Sequence, residues 1–367
     1  MQILVTGAEG FIGQNLISHL SRDDNFNVDT LKRGEPLEVL ERKIRSADTI
    51  FHLAGANRPD KESDFETVNV GLTGTICDLA QATGKKIPIV FSSSVQAELD
   101  NPYGISKLKA ENILREYEKN TSSSIYIFRL TNVMGKWCRP NYNSVVATFC
   151  HNIVNDIPLE IHDPEKALTL VYIDDLVMEF MKILRSSVVP KKFHEVKPEY
   201  VITLQNLADK LRFFKEGRHS LYIDETGDGL TRALYATFLS YLDKNDFSYT
   251  IPEYTDERGR FSEILKTLNC GQVSFLTAKP GVIRGRHYHH TKSEKFLVVH
   301  GEAEFNFRHL VSGERHKIRV TSDTPTIVET IPGWIHDIKN TGNDDLIVFL
   351  WANEVFDRDN PDTYGIE

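Results

Sequence analysis

Ile3-Leu4-Val5-Thr6-Gly7-Ala8-Glu9-Gly10-Phe11-Ile12-Gly13-Gln14-Asn15-Leu16 is a short apolar run, then three glycines spaced G-x-x-G-x-x-G, then a helix-like pattern. A strand that stops at glycines and restarts as a helix presents backbone N–H groups and the positive helix end together, which makes a cradle for a pyrophosphate. Gly7 permits the tight turn, Gly10 the close approach of a dinucleotide, and Gly13 the close packing of helix on strand. Phe11 and Ile12 belong to the same cradle. The position of the glycines, after a strand and before an amphipathic helix, favours dinucleotide binding over a glycine-rich turn with no ligand.

Working outward, strand and helix patterns alternate as far as residue 130. Strands are expected at Gln2–Thr6, Asn27–Leu31, Thr49–Leu53, Ile87–Ser92 and Ile125–Leu130. Helices are expected near Phe11–Ser21, Pro36–Arg45, Phe65–Thr83 and Tyr103–Lys119. This alternation predicts an α/β domain of the Rossmann type, a doubly wound parallel sheet with helices on both faces. The second strand ends Leu31-Lys32-Arg33, without the acidic residue that usually holds a ribose 2′-OH. Asp29 is expected inside that strand, and Lys32 and Arg33 suit a 2′-phosphate, so NADPH is the expected cofactor; the competing reading is two solvated loop cations. His52-Leu53-Ala54-Gly55 opens into a turn of small residues, with Asn69 on the following helix. Leu53, Ala54, Gly55 and Asn69 are therefore expected near the adenine and ribose side of the dinucleotide.

Phe91-Ser92-Ser93-Ser94 precedes Tyr103-Gly104-Ile105-Ser106-Lys107. The Tyr-x-x-x-Lys spacing sets phenol and ammonium on one helical face. A nearby cation favours the phenolate and lowers the tyrosine pKa toward the working pH. Tyr103 can then pass a proton to or from an alcohol or carbonyl oxygen that Ser93 or Ser94 holds. In isolation an ordinary Tyr–Lys pair is the better reading; after the glycine cradle, catalysis is.

These residues resemble the extended short-chain dehydrogenase/reductase family of nucleotide-sugar enzymes. Arg129-Leu-Thr-Asn132-Val-Met-Gly135 is similar to that family's R-x-x-N-x-x-G, which implies Arg129 and Asn132 at the sugar nucleotide. Tyr172-Ile173-Asp174-Asp175 is similar to its Y-[VI]-D-D, which opens a helix. The Thr-Asp-Glu set of the 4,6-dehydratases is replaced by Ser93-Ser94-Val95-Gln96, which disfavours dehydration and leaves reduction or 4-epimerisation. Residues 186–243 read as helical segments, with Leu204–Phe214 and Leu230–Leu242 amphipathic.

After Asp243–Pro252 the helical period largely disappears, and short alternating runs at Gln272–Thr277, Glu294–His300, Ala303–His309, Thr326–Thr330 and Leu346–Trp351 predict an all-β double-sheet barrel. The expected domains are thus 1–243 and 244–367. Within the second, His287 and His289 stand at i and i+2 of a strand and point the same way. Glu294 on the next strand and His336 further on complete a three-imidazole, one-carboxylate set suited to zinc, iron, manganese or nickel. Gly281 to Gly301 resembles the first cupin motif, G-x5-H-x-H-x4-E-x6-G, and Gly333 to Asn340 part of the second. Lys279–Tyr288 and Asp256–Glu263 are also similar to the dTDP-4-keto-sugar 3,5-epimerases, cupins in which the histidine matching His287 is a base and no metal is needed. The two resemblances give His287 different tasks. Arg258 and Arg284 are the phosphate-binding candidates of the barrel.

Across its whole length the chain resembles the bifunctional UDP-sugar reductases of capsular and O-antigen L-fucosamine biosynthesis, the CapF/WbjC type. That resemblance implies a UDP-2-acetamido-2,6-dideoxy-hexos-4-ulose, inverted at C3 by the cupin and then reduced at C4 with NADPH. The alternatives are a plain NADP-dependent reductase whose cupin only binds sugar or dimerises, a fused metal dioxygenase, and a redox sensor. The net charge of −9 argues against nucleic acid as the main partner. No apolar run is long enough to span a membrane. The four cysteines have no metal or disulfide spacing, and no signal peptide is evident, so a cytoplasmic protein is expected. Pairing of cupin strand edges leads us to expect a homodimer.

Overall fold

The computed structural model describes residues 1–59, 61–185, 189–359 and 361–366. They form two compact units, one of Met1–Leu211 with Ala233–Leu242 and one of Arg212–Arg232 with Asp243–Glu367.

The first unit is built on β1 (Gln2–Thr6), α1 (Phe11–Leu20), β2 (Asn27–Leu31), α2 (Leu37–Ser46), β3 (Thr49–His52), α3 (Leu72–Ala82), β4 (Ile89–Ser94), α4 (Pro102–Thr121) and β5 (Ile125–Leu130). The five strands pair in parallel in the order β2-β1-β3-β4-β5. Ile3, Leu4, Val5, Ile50, Phe51, Ile89 and Val90 are buried, as expected for strands covered on both faces. The strand order reverses between β1 and β3, and in such sheets ligands bind beyond the strand ends at that switch. Thr6 and His52 are the last residues of those two strands.

Three local differences from the sequence reading matter. β4 runs through Ser94, two residues beyond the expected end, so both candidate serines are strand residues. The helix expected from Phe65 opens with a π-helical stretch, Phe65–Gly71, before α3. The helical reading of 186–243 missed two short strands; its first residues, 186–188, lie outside the described ones. After β5 come β6 (Asn132–Met134), α5 (Val145–Val154), β7 (Ala167–Tyr172), α6 (Ile173–Arg185), β8 (Tyr200–Thr203), α7 (Leu204–Ser220), β9 (Tyr222–Ile223) and α8 (Gly229–Leu239). β8 is four residues of β-forming type, too short for alternation to reveal it, and it pairs antiparallel with β7. β9 pairs with β11 (Gly259–Thr267) through Lys266 and Thr267, which ties Arg212–Arg232 to the second unit.

The second unit is a sandwich of two sheets, antiparallel throughout except for the parallel β9–β11 pair. One has the order β10 (Tyr254–Asp256), β11, β12 (Gln272–Ala278), β19 (Leu346–Ala352), β14 (Glu294–His300), β17 (Ile327–Glu329). The other has the order β16 (Arg315–Thr321), β15 (Glu302–His309), β18 (Trp334–Asn340), β13 (Ile283–Tyr288), β20 (Tyr364–Gly365). Alternate residues Leu276, Phe296, Val298, Val348 and Leu350 of the first sheet meet Ala303, Phe305, Phe307 and Ile338 of the second in one apolar core. Phe296 and Phe305 pack edge to face at 5.6 Å. This is the double-sheet cupin architecture that the alternation and the histidine motif predict. No helix among the described residues is long and apolar enough to cross a membrane.

Candidate active site and metal centre

The glycines make a tight cradle. Gly7 has φ +68°, and a Cβ there would lie 2.6 Å from the Ala54 nitrogen. A Cβ on Gly13 would lie 2.2 Å from the Gly7 carbonyl oxygen, so the first turn of α1 rests directly on the β1–α1 turn. Gly10 is the N-cap of α1, contributes no side-chain cap, and no acidic residue follows in the first turn. The helix therefore presents uncapped N–H groups and its positive end at the strand switch, the arrangement an anionic pyrophosphate requires.

A chain of hydrogen bonds fixes the facing β3 loop. Thr73 Oγ1 donates to the Asn69 carbonyl at 2.6 Å, so it accepts from His52 Nε2 at 2.9 Å. His52 Nδ1 then accepts from Thr6 Oγ1 at 2.8 Å, and Thr6 Oγ1 accepts the Ala54 N–H at 3.2 Å. The chain requires a neutral imidazole, and burial, with the Lys107 charge, brings the His52 pKa down to about 3. Asn69 clamps the same loop: its Oδ1 accepts the Ala56 N–H at 2.7 Å and its Nδ2 donates to the Ala56 carbonyl at 2.9 Å. Its contacts hold the 54–56 turn, and Phe65 of the π-helical stretch that carries it stands 6.0 Å from the Tyr103 ring.

Tyr103 and Lys107 sit one turn apart on α4, which Asn101 caps by accepting the Gly104 N–H at 2.8 Å. A Cβ on Gly104 would lie 2.1 Å from the Gln96 carbonyl oxygen, so only glycine lets this end of α4 press against the turn after β4. Lys107 is buried and donates to the Ser92 carbonyl at 2.9 Å, in the space that Gly55 leaves. Burial lowers its pKa to about 8, against the attraction of Glu111. The expected lowering of the Tyr103 pKa is not found. Burial raises it and outweighs the hydrogen bond with Ser94, so the phenol is protonated at neutral pH and is a proton donor.

The two serines separate because neighbouring strand residues face opposite ways. Ser94 acts on Tyr103, drawing its pKa down against burial, and its Oγ accepts the Gln96 N–H at 3.2 Å. Ser93 Oγ instead donates to Glu111 Oε1 at 2.5 Å. Glu111 is in turn held by Arg129, at 3.0 Å from Nε and 2.7 Å from Nη2. Arg129 also pairs with Glu98 and stacks on Phe193, so its guanidinium is engaged inside the fold rather than open to a sugar nucleotide. Asn132 is exposed and donates to the Thr169 carbonyl at 3.1 Å. Tyr172-Ile173-Asp174-Asp175 does open a helix, α6. Lys32 and Arg33 are exposed at the end of β2, and among the described residues neither side chain enters an ion pair. Asp29 is inside β2 on Gln2, and the nearest acid beyond the strand, Glu35, is held by Lys43 at 2.7 Å.

In the second unit His287, His289, Glu294 and His336 bring one ligand atom each within 4.8 Å of one another. His287 and His336 are register partners across β13 and β18; a bulge at Gly285 and Arg286 precedes His287, and His289 lies just past the end of β13. His289 Nδ1 is bound to the Asp362 carbonyl and His336 Nδ1 to the Trp334 carbonyl at 3.3 Å. A carbonyl only accepts, so both Nδ1 atoms carry the proton and both Nε2 lone pairs face inward. They lie 3.2 Å and 3.4 Å from Glu294 Oε2. Two lone pairs aimed at a carboxylate repel unless a cation lies among them, and His336 Nε2 is buried without a hydrogen-bond partner. The donor set therefore fits a divalent metal.

His287 differs from the other two: burial, reinforced by His336, lowers its pKa to about 4. It lines a cavity of about 290 Å³ together with Glu294, His336, Arg258, Arg284 and Lys292. Arg258 is paired with Asp256, and Arg284 donates to the Thr277 and Arg260 carbonyls, so both keep donors at the cavity wall. Lys292, absent from the sequence-derived site, is buried, stands 5.5 Å over the Phe356 ring, and makes no hydrogen bond through its ammonium among the described residues. Its place two residues before Glu294 was its only sequence signal.

Residues 3–197 match the NAD dependent epimerase/dehydratase family, and residues 254–364 match the polysaccharide biosynthesis C-terminal domain. The chain is 50% identical over 365 residues to the UDP-2-acetamido-2,6-beta-L-arabino-hexul-4-ose reductase of Pseudomonas aeruginosa, covering 100% of this chain and 98% of that one. The crystal structure of the capsular polysaccharide assembling protein CapF from Staphylococcus aureus superposes with a TM-score of 0.93 at 40% identity, with 100% of both chains covered. A UDP-glucuronic acid 4-epimerase from Bacillus cereus, at 20% identity, 59% of this chain, 83% of that one and a TM-score of 0.53, shares the fold. The chain belongs to the CapF family of sugar-nucleotide enzymes, in which an NAD dependent epimerase/dehydratase domain is followed by a polysaccharide biosynthesis C-terminal domain.

Proposed function

We propose that the chain inverts C3 of a UDP-2-acetamido-2,6-dideoxy-hexos-4-ulose in its cupin unit and then reduces the C4 ketone with NADPH in its first unit. The product is a UDP-6-deoxy-talosamine-type alcohol, a precursor of L-fucosamine in capsule or O-antigen. The observation that carries the reading is the convergence of Ser94, Tyr103 and buried Lys107 beside the uncapped end of α1. Bound NADPH supplies the hydride. Ser94 holds the ketone oxygen, protonated Tyr103 gives it a proton, and the Lys107 charge favours the negative charge that develops on both. Exposed Lys32 and Arg33 suit the 2′-phosphate of NADPH.

In the cupin unit a proton α to the ketone is acidic because the enolate places its charge on oxygen. His287, neutral and facing the cavity, is the base that takes the C3 proton, and a proton delivered to the opposite face of C3 by solvent water in the cavity completes the inversion. Lys292 offers a hydrogen-bond donor to the enolate oxygen, and Arg258 and Arg284 offer donors to the diphosphate. A divalent metal, with zinc as first choice, would polarise the ketone, held by His289, Glu294 and His336 with His287 beside it. The inverted ketone can revert, and reduction fixes it. The reading includes a cytoplasmic homodimer: Leu297, Phe349 and Ile327 lie in register on the outward face of one cupin sheet and offer apolar area for a second copy. The test is turnover of the keto-sugar with NADPH, followed by mass spectrometry. One NADPH consumed per alcohol formed is expected, and no consumption with any UDP-2-acetamido-2,6-dideoxy-hexos-4-ulose overturns the reading.

A further inference from the structure

We propose that Asp362, in the C-terminal strap of the cupin unit, is the positioning residue of the histidine and glutamate centre. Its carboxylate locks the loop between His289 and Glu294, and its carbonyl locks the His289 ring. The inference rests on the reading of that cluster as a cation site.

Asp362 Oδ1 accepts the His290 N–H at 2.9 Å. Its Oδ2 accepts the Thr291 N–H at 2.7 Å, the Lys292 N–H at 2.8 Å and the Thr291 hydroxyl at 3.0 Å. Three successive backbone N–H groups around one carboxylate form an anion nest in which the anion belongs to the chain itself. The same residue's carbonyl takes the Nδ1–H of His289. One residue thus sets the backbone of 290–292 and the tautomer of the ring just before it.

The strap is anchored by other means on either side of the cluster. β20 pairs with β13 through His287 with Gly365 and Tyr288 with Tyr364. Tyr364 stacks on Tyr288 at 5.2 Å, and the Ile366 N–H reaches the Arg286 carbonyl at 3.1 Å. The far end of the loop is held separately, because Asn353 Oδ1 accepts the Ser293 N–H at 3.0 Å. Loss of the Asp362 carboxylate is therefore felt at 290–292, which carry His289 on one side and Lys292 toward the cavity on the other.

Asp362→Ala and Asp362→Asn in the full chain test this, with Asn keeping the size of the side chain while turning one acceptor into a donor. Zn²⁺ affinity is measured by competition with a chromophoric chelator, and amide hydrogen exchange is measured on the metal-free protein. Partners that orient a metal-binding histidine are worth about 10–100-fold in affinity; Asp362→Ala keeps the carbonyl on His289 but frees the loop beside it, so it is expected to weaken Zn²⁺ toward the lower end, about tenfold, and Asp362→Asn by less. Exchange is expected to quicken at residues 290–292, with NADPH affinity and exchange in the first unit unchanged. Wild-type Zn²⁺ affinity and unaltered exchange in both variants would overturn the proposal. If Asp362→Ala does not fold, Asp362→Asn decides by the same two readouts. A wild-type chain that binds no Zn²⁺ would overturn the metal reading instead, and the exchange at 290–292, which needs no metal, would then decide for Asp362.

Discussion

Ser93 and Ser94 are neighbours in one strand, and their alanine variants are expected to fail in different ways. Ser94→Ala removes the hydroxyl beside Tyr103 and the acceptor of the Gln96 N–H. Loss of one donor from a developing oxyanion costs about 10²–10³ in kcat, and loss of the turn cap about 1 kcal/mol of stability. Ser93→Ala removes the 2.5 Å hydrogen bond to buried Glu111. A bond to a charged partner contributes about 1.5–3 kcal/mol, and at about 2–4 °C per kcal/mol for a unit of this size, melting falls by roughly 3–12 °C. The rate of the folded Ser93→Ala protein stays within a few-fold of wild type, because the Ser93 hydroxyl is spent on Glu111 rather than on Tyr103. The assay is NADPH oxidation at saturating keto-sugar, set beside thermal unfolding of each variant. A hundredfold rate loss in Ser93→Ala, with Ser94→Ala near wild type, would refute the assignment of faces on which the site is built.

Other outcomes follow from the same geometry. Gly13→Ala sets a methyl 2.2 Å from the Gly7 carbonyl oxygen, a backbone atom that cannot swing away. Overpacking of about 1–3 kcal/mol, if it falls on the cradle, weakens NADPH by roughly 5–150-fold in a fluorescence titration. The folded chain keeps His52 neutral down to about pH 3, while an unfolded histidine takes up a proton below 6.5. Stability present above pH 6.5 is therefore lost as the pH falls, by about 2 kcal/mol at pH 5, and urea unfolding of His52→Gln should lack that slope. Lys107, lowered to about 8, loses its charge as the pH rises through that value. NADPH oxidation should decline there, and Lys107→Arg should carry the decline to higher pH; a decline that stays in place would assign it to another group.

The first unit was legible because its signals are local. β1, β2 and β5 have the residue bounds expected from the sequence; in β1 and β5 an apolar run ending at a polar or glycine turn admits little else. The cradle, Tyr103 and Lys107 could be found because their chemistry requires fixed spacings. Ser93 and Ser94 could not be separated until β4 was seen to continue through both, which fixed their faces. The direction of the Tyr103 shift was misread because burial depends on the packed fold rather than on the nearest cation in sequence. Arg129 shows the same limit: its partner Glu111 is 18 residues away on a neighbouring helix. In the cupin unit the His-x-His and Glu spacing announced the cluster, whereas Asp362 stands 73 residues from the ring it holds, and no spacing rule connects them.

The order of the two reactions is tested most directly with full-length Tyr103→Phe in deuterated water. The variant retains the cupin centre and loses the proton donor of the reduction, a loss of about 10²–10⁴ in rate. With the UDP-4-keto-sugar and NADPH, the account predicts that recovered keto-sugar gains one deuteron at C3 while almost no NADPH is consumed. Keto-sugar recovered with hydrogen still at C3 would show that inversion does not precede reduction, and would contradict it.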